Sequence, residues 1–375
     1  MLHKYAEYTF FCVVILHICK KNTTFVANMR GLLSNLLMAR LDYIVAGHRF
    51  AVESCQSEWL SMMTNYEPFK VGCADVDAGE PVFVLRLDQQ ELLDEVKTGG
   101  YQLVFTDNSE ADMPRIEVYR SRLEDASLQF RGGEWLFRVA MVADAPICCE
   151  MRCSADFAEG VLHIAEDCQD VRFCIDNALM LLYAFRTAPL KTLEMHAAVV
   201  VRPSLEDARG ASYRTPSGLQ DASLQAKGYL FLGHSGTGKS THARQWLAAF
   251  DDAWLLNDDN PILRVMDDGE LRVYGSPWSG KTPCYNNAYA RVGGIVKLSQ
   301  APHNRIHPLT LPQAYAYVFS SASGLKIDKQ MADDLYDTIK HVVTHAMCYH
   351  LECLPNTAAA EVCYQGLQQR AAGYQ

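Results

Sequence analysis

The spacing of apolar residues in the first half of the chain predicts strands. Between residues 38 and 168 these positions recur mostly with a period of two, and turns interrupt the runs. A period of two places alternate side chains on one face of a sheet. We therefore predict a β-rich N-terminal domain of antiparallel type over residues 38–170. The runs that carry this prediction are residues 69–71, 81–87, 101–105, 115–119 and 135–142.

After residue 170 the pattern changes, and helical runs alternate with short apolar ones. Residues 176–188 have the periodicity of an apolar helix, which Pro189 ends. This alternation predicts an α/β domain of mixed (α+β) type, with a mixed sheet and flanking helices, over residues 171–375. The predicted strands are residues 193–201, 229–232, 254–256, 262–265, 271–274, 294–298 and 349–354, and the further helices are residues 312–320, 331–344 and the segment from 356.

Two segments do not follow these patterns. Residues 1–37 contain an apolar run, residues 10–18, that is too short to span a bilayer and has no small-residue cleavage site after it. We interpret them as an over-long start or a disordered leader, while a packed helix or a targeting segment stays open. Residues 202–227 are rich in Ser, Ala, Gly and charge, and we expect a mobile hairpin loop there.

Composition narrows the classes of partner. The chain has 49% hydrophobic and 21% charged residues, which is ordinary for a globular protein. Its net charge is −10, and no cluster of Lys and Arg stands out. Nucleic acid and anionic membranes both require such clusters, so we expect neither as a partner, and no membrane span.

The cysteines indicate a reducing compartment. The chain has 13 of them, without a repeated spacing, which predicts reduced thiols in a cytoplasmic protein. One group, Cys148, Cys149, Cys153, His163, Cys168 and Cys174, could suggest zinc. No C-x-x-C pair is present among them, so we expect buried thiols rather than a metal site.

A glycine-rich motif lies between a predicted strand and a predicted helix. Residues 233–240 read GHSGTGKS and satisfy G-x-x-x-x-G-K-[ST]. An apolar strand precedes the motif, and Ala243, Leu247 and Phe250 recur after it at helical spacing, with Trp246 beside them. This order of strand, loop and helix is the context in which the motif binds the phosphates of a nucleotide.

The residue types of the motif suit that chemistry. Its glycines allow positive φ and bring backbone N–H groups close to phosphate oxygens, and the helix N-terminus adds a partial positive charge. Lys239 can reach the β and γ phosphates, and the Ser240 hydroxyl can ligate Mg²⁺. The predicted cofactors are therefore ATP and Mg²⁺. The predicted nucleotide-binding residues are Gly233, Ser235, Gly236, Thr237, Gly238, Lys239, Ser240 and Thr241.

Two further elements should meet the loop at one end of the sheet. Asp258 and Asp259 follow an apolar strand directly. One carboxylate could bind the metal while the other accepts a proton from an attacking hydroxyl, and the alternative is a solvated turn. His196 lies on the predicted strand 193–201. It is either a ligand in the site or a satisfied core histidine.

Three stretches, taken in order, resemble the phosphoenolpyruvate carboxykinase and HPr kinase superfamily. They are Met195-His196-Ala197, the loop from Gly233 to Thr241, and Leu255-Leu256-Asn257-Asp258-Asp259. Residues 275–281 (GSPWSGK) and 300–311 resemble an HPr-kinase-related branch. The resemblance covers about residues 175–375 and implies a phosphate loop on a mixed, β-rich core. It also implies a catalytic cation at Lys281, for which a solvated surface role is equally open.

The resemblance implies a role for each remaining residue. Lys239 would bind the β and γ phosphates, and Ser240 with Asp259 would hold Mg²⁺. Asp258 would be the catalytic acid/base. His196 would lie near the metal or the transferred phosphoryl group.

The chain also departs from the family pattern. Thr241 stands where bifunctional HPr kinases carry an acidic residue, and their downstream Arg-Gly signature is missing. Phosphorolysis and HPr itself are therefore not expected. The metal-binding Lys of carboxykinases has no counterpart upstream of His196, so oxaloacetate decarboxylation is not expected either.

We therefore predict an ATP-dependent kinase that transfers the γ-phosphoryl group to a hydroxyl of a small molecule or protein. The alternative is a nucleotide-gated binding module, in which the β-rich domain recognises a partner and ATP orders residues 202–227 without phosphoryl transfer. A third reading is a remnant that no longer binds nucleotide.

Overall fold

The computed structural model describes residues 38–72, 79–88, 92, 100–107, 114–122, 130, 133–203, 226–280, 282–326 and 328–371. The predicted leader, residues 1–37, lies outside this part of the chain, as does most of the predicted mobile loop. Two mixed sheets with helices packed on them make up the fold. The predicted α/β class with mixed sheets is confirmed.

The first sheet has eight strands in the order β1-β2-β3-β8-β7-β6-β5-β4. Their bounds are β1 Ala39–Val45, β2 His48–Ser54, β3 Phe83–Asp88, β4 Tyr101–Asp107, β5 Arg115–Ser121, β6 Glu134–Ala140, β7 Ile147–Ser154 and β8 Glu159–Ile164. Most neighbours are antiparallel, but β3 pairs in parallel with both β2 and β8. The prediction of an antiparallel sheet is therefore wrong at these two pairings.

The connection from β2 to β3 explains the parallel pairing. It contains a short helix, α1 (Ser57–Ser61), and a 3-10 helix, Thr64–Phe69, which allow the chain to cross back before β3 begins. The strand predicted at residues 69–71 is wrong for the same reason. Pro68 lies inside the 3-10 helix, and Lys70 makes only an isolated bridge to Tyr43.

The predicted apolar helix is present as α2 (Val171–Thr187) and ends before Pro189. Its first turn is capped by Asp170, whose side chain accepts a hydrogen bond from the Phe173 N–H at 2.9 Å. Its buried side chains, among them Ala178 and Leu182, belong to the apolar core of the first sheet. The helix therefore covers one face of that sheet.

The second sheet follows the path β12-β10-β11-β15-β14-β13-β9, and β17 pairs with β15 and β16. Its strands are β9 Thr192–Glu194, β10 Ala197–Pro203, β11 Ala226–Leu232, β12 Trp254–Asn257, β13 Ile262–Val265, β14 Leu271–Tyr274, β15 Tyr289–Gln300, β16 Arg305–Pro308 and β17 Cys348–Cys353. The helices are α3 Lys239–Ala249, α4 Leu311–Ser321, α5 Lys329–His345 and α6 Thr357–Ala371. Among the residues that the structure describes, every strand and helix predicted after residue 225 is present.

The single strand predicted at residues 193–201 is wrong, because the chain changes partners in its middle. Strand β9 pairs with β13, whereas β10 pairs with β11 and β12. Met195 and His196 lie at the break, and their backbone N–H groups donate to Pro261 O and Ser321 O at 3.0 and 2.7 Å. The break therefore leaves His196 at the end of a strand rather than inside one.

Helices α3 and α6 pack on one face of the second sheet, and α4 and α5 on the other. In α3 the buried face is set by His242, Ala243 and Trp246, and Leu247 is exposed. The predicted face is therefore wrong at Leu247. Trp246 takes its place because its ring packs against Tyr229, 4.9 Å between centroids. No helix in the described ranges is long and apolar enough to cross a membrane.

Candidate functional site

Three chain segments meet at one edge of the second sheet. Strand β10 begins there, and β11 and β12, which both run antiparallel to β10, end there. The registers pair Ala197 with Leu232 and Val199 with Asn257. His196, the glycine loop (residues 233–240) and the Asp258-Asp259 pair therefore converge at this edge.

The glycine loop has the backbone that its sequence requires. Gly236 and Gly238 have φ of 75° and 106°, values that other residues rarely adopt. A Cβ at Gly233 would lie 2.9 Å from the Thr237 side chain, so the turn closes only with glycine there. Gln300, at the end of β15, donates to the Gly236 carbonyl at 3.2 Å and ties the loop to the neighbouring strand.

Lys239 begins α3 and points back into the loop. Its side chain is only 7% exposed, and its Nζ donates to the Gly233 carbonyl at 3.0 Å. The same Nζ lies 2.8 Å from Nε2 of His196. An ammonium group donates only, so His196 accepts through Nε2, and its ring proton is assigned to Nδ1.

His196 also joins the loop to the carboxylate pair. Its Nε2 is 3.3 Å from Oδ1 of Asp259, so one nitrogen lies beside both Lys239 and Asp259. The Asp259 carbonyl accepts the Ala197 N–H at 2.9 Å, which fixes the acidic residue against the start of β10. A cation, an imidazole and a carboxylate are thus brought together, as the sequence predicts.

Asp258 differs from Asp259 in its surroundings. It is 3% exposed, and its Oδ2 has no hydrogen-bond partner in the described part of the chain. Burial of a carboxylate oxygen without a donor is unfavourable, and such atoms mark places where a ligand supplies the missing partner. The structure thus excludes the solvated turn for Asp258.

The remaining predicted residues are placed as follows. Ser235 lies exposed in the glycine loop, and Ser240 and Thr241 are half-buried in the first turn of α3. The joint binding of Mg²⁺ by Ser240 and Asp259 stays a prediction. Lys281 lies outside the described residues, so its predicted catalytic role also stays a prediction.

Asn257 is a positioning residue that the sequence reasoning missed. It is fully buried, and its Oδ1 accepts the N–H groups of Asp259 and Asn260 at 2.9 and 2.8 Å. Its Nδ2 donates to Ser276 Oγ at 3.2 Å and to the Trp278 carbonyl at 2.9 Å. One amide therefore fixes the turn that carries both acidic residues. The only signal in the sequence is an asparagine that directly precedes an acidic pair.

Replacing Asn257 by alanine is expected to lower the free energy of unfolding by roughly 2–4 kcal/mol, because several buried backbone groups lose their partners. Urea unfolding at constant slope measures the change. The control is Asn287→Ala, since Asn287 is exposed and makes one hydrogen bond, to the Pro68 carbonyl. A midpoint for Asn257→Ala equal to that of the control would show that this amide does not fix the turn.

The loop over residues 275–280 closes one side of the site and rests on the first sheet's core. A Cβ at Gly280 would come within 3.2 Å of Asp259 Cβ, so the loop packs directly against the acidic pair. Trp278 is buried, and its Nε1 donates to the Tyr66 hydroxyl at 2.8 Å. That hydroxyl in turn donates to Asp176 of α2 at 2.8 Å. The N-terminal part of the chain therefore helps to position the site.

A cavity of about 560 Å³ adjoins the glycine loop. It lies where β11, β15 and β17, which run parallel, all end. Its apolar lining includes Leu298, Ala301, Leu354 and Pro355, while Gly236 to Gly238 and Thr241 form the side nearest the loop. A cavity of this size and lining suits a planar apolar group.

Glu194 is a second buried acid close to the site. It is 1% exposed, and its Oε1 has no partner among the described residues. Burial, and then the negative charge of Asp259, raise the pKa of Glu194 to about 8. At neutral pH the carboxyl group is therefore largely protonated.

This pKa predicts a pH-dependent stability. Below the ordinary pKa of 4.5 the Glu194 carboxyl group is protonated in both folded and unfolded chains. Its contribution to the free energy of unfolding is then fully present. Between pH 4.5 and 8 only the folded chain keeps the proton, so its contribution falls by about 1.4 kcal/mol per pH unit. Glu194→Gln, which never ionises, should therefore gain stability over the wild type as pH rises through this window.

Urea unfolding of both proteins across that pH range measures the difference. Glu361→Gln, on the exposed surface of α6, is the control and should follow the wild type. A constant difference between Glu194→Gln and wild type at all pH values would contradict the raised pKa.

No protein-family model matches the chain, and no curated protein matches it at the level taken as significant. The function is therefore argued from the residues and their geometry.

Proposed function

We propose that this chain is a Mg²⁺-dependent kinase that transfers the γ-phosphoryl group of ATP to a hydroxyl. The observation that carries the proposal is the meeting of Lys239, His196 and Asp259 around one imidazole nitrogen at the glycine loop. We also propose that residues 171–375 form a nucleotide-binding core of the HPr kinase and carboxykinase type. The order of His196, the loop and the acidic pair supports that reading.

The glycine loop suits a triphosphate. Its positive-φ glycines form a tight turn, and α3 begins directly after it with the positive end of its dipole. Lys239 adds a full positive charge. We infer that Lys239 leaves His196 when phosphates bind, because a phosphate oxygen is a stronger acceptor for an ammonium group than a neutral imidazole.

The site also suits a hard divalent cation. Carboxylate and hydroxyl oxygens are the ligands that Mg²⁺ prefers, and Asp259, Asp258 and Ser240 supply them. A bound Mg²⁺ would neutralise charge on the β and γ phosphates. We assign Asp259 and Ser240 to hold it.

Asp258 then remains to act on the acceptor. It is held at the edge of the sheet by the turn that Asn257 fixes, one residue from the metal-binding acid. Its Oδ2, which has no hydrogen-bond partner in the described ranges, can accept the proton of an attacking hydroxyl as the new bond to the γ phosphorus forms and the bond from that phosphorus to the departing ADP breaks. Such transfer depends mainly on positioning and charge stabilisation, and these residues supply both.

The 560 Å³ cavity beside the loop fits the nucleoside. Its apolar side chains can pack against the purine ring, and Gln300 stands at its rim. The phosphates would extend from there over the loop toward Lys239 and the acidic pair.

An acceptor screen with γ-labelled ATP and Mg²⁺ tests the proposal. Amino acids, sugars and lysate proteins serve as acceptors. The expected result is a labelled product that forms with the wild-type chain and is largely lost with Asp258→Asn. ATP binding without any labelled acceptor would favour the nucleotide-gated binding module. Absence of ATP binding would exclude both.

A further inference from the structure

Three thiols converge between the first sheet and the start of α2. The Sγ atoms of Cys148, Cys168 and Cys174 all lie within 4.8 Å of one another. Cys168 and Cys174 are 3.5 Å apart, and Cys174 and Cys148 are 3.8 Å apart. The cluster belongs to the core of the first sheet and uses none of the residues assigned to the nucleotide.

A β-bulge explains how thiols distant in sequence come together. On β7, residues 147 and 149 pair with consecutive residues of β6, so Cys148 is an extra residue. A bulge redirects side chains, and Cys148 and its neighbour Cys149 both face the core that α2 covers. Cys168 precedes the N-cap of α2 and Cys174 lies in its first turns, which brings both to the bulge.

The distances match those of thiolates around one metal ion. A tetrahedral zinc ion with Zn–S bonds of about 2.3 Å separates its sulfur ligands by about 3.8 Å. A disulfide would require about 2.05 Å between sulfurs, much less than the 3.5 Å between Cys168 and Cys174. The sulfur positions therefore fit a thiolate site and are too far apart for a disulfide.

Cys149 is the nearest candidate for a fourth ligand. It is buried next to Cys148 in the same core, but its Sγ is not among the three that all lie within 4.8 Å of one another, so its side chain would have to turn toward them to bind. His163 is not a candidate, because it pairs with Glu150 and shares the opposite face of the sheet with Arg152, whose guanidinium is 3.1 Å from its Nε2.

We propose that Cys148, Cys168 and Cys174, with Cys149 as the fourth ligand, bind one Zn²⁺ as a structural site. A zinc ion here departs from the expectation of buried thiols rather than a metal site, which rests on the missing C-x-x-C pair. Soft thiolate ligands in tetrahedral arrangement favour zinc over Mg²⁺. Binding requires the thiols to ionise, so it releases protons. The ion would join β7 to the start of α2, and the half-buried Cys168 gives it access from solvent.

The test uses the full chain, purified under reducing and metal-free conditions and then incubated with Zn²⁺. After gel filtration, elemental analysis and native mass spectrometry measure the metal retained. We expect one zinc per chain in the wild type and background levels in Cys168→Ala, the substitution at the least buried ligand. With Co²⁺ in place of Zn²⁺, the wild type should show the visible bands of tetrahedral thiolate-bound cobalt.

Cys153→Ala is the matched control. Cys153 is fully buried in the same core and on the same strand, but it is not one of the clustered thiols. This variant should retain the full complement of zinc. The proposal fails if the wild type retains no zinc and gives no cobalt bands, or if Cys168→Ala retains as much as the wild type. A disulfide between Cys168 and Cys174 in the purified chain would also overturn it.

Discussion

Replacing Asp258 by asparagine is expected to reduce phosphoryl transfer by roughly 10²–10⁴-fold, the range that a general base contributes. Asparagine has almost the same shape, but its amide cannot accept the proton of an attacking hydroxyl. Nucleotide binding should change little, because Lys239, Ser240 and Asp259 remain. Transfer of label from γ-labelled ATP and equilibrium binding of ATP with Mg²⁺ measure the two effects separately.

The structure adds a further check on this variant. Asp258 is 3% exposed, and its Oδ2 is a buried carboxylate oxygen that has no hydrogen-bond partner among the residues that the structure describes. Asp258→Asn removes that charge and should not lower the melting temperature. Asp251→Asn, at an exposed turn after α3, is the control and should keep full transfer. Transfer by Asp258→Asn at the wild-type rate would show that another group takes the proton.

Replacing Lys239 by methionine is expected to weaken ATP binding, and with it transfer at subsaturating ATP, by roughly 10²–10³-fold, through loss of a fixed positive charge. Methionine keeps the apolar stem, so packing at the start of α3 should persist. The Gly233 carbonyl loses its donor, and Nε2 of His196 loses its 2.8 Å contact. Equilibrium titration with ATP and Mg²⁺ measures the affinity.

Lys227→Met is the matched control for that variant. Lys227 lies near the other end of β11, which leads into the glycine loop, and pairs with Arg202 across the sheet. It is half-buried, and most of the length of β11 separates it from the loop. The control should bind ATP as the wild type does. Equal affinities of Lys239→Met and wild type for ATP would show that Lys239 and its loop do not bind the nucleotide.

Much of the candidate site can be predicted from the sequence because its residues lie in short contiguous segments. The glycine loop is contiguous, and its positive-φ glycines, Gly236 and Gly238, are those of the motif. The acidic pair follows an apolar strand, and strand ends meet at one edge of a sheet. His196 joins them because β10, which it precedes, lies between β11 and β12.

The remaining features depend on contacts between segments that are distant in the sequence, and the local pattern of apolar and polar residues does not contain them. The partner change at Met195 and His196 is set by β13 and β12, which come some sixty residues later in the chain. Two of the four hydrogen bonds of Asn257 go to a loop about twenty residues away. A bulge on β7, which a period of two does not reveal, brings Cys148 to Cys168 and Cys174 at the start of α2. The parallel pairings of β3 likewise depend on how the chain crosses the sheet.

The most direct test is an equilibrium titration of the wild-type chain with ATP, once with Mg²⁺ and once with the metal chelated. If Lys239, the glycine loop and the acidic pair form one site, ATP should bind, and Mg²⁺ should increase the affinity by roughly 10-fold or more. Asp259→Asn should lose most of that increase while keeping the affinity measured without metal. Absence of ATP binding at millimolar concentration, or binding that Mg²⁺ does not change, would contradict the account.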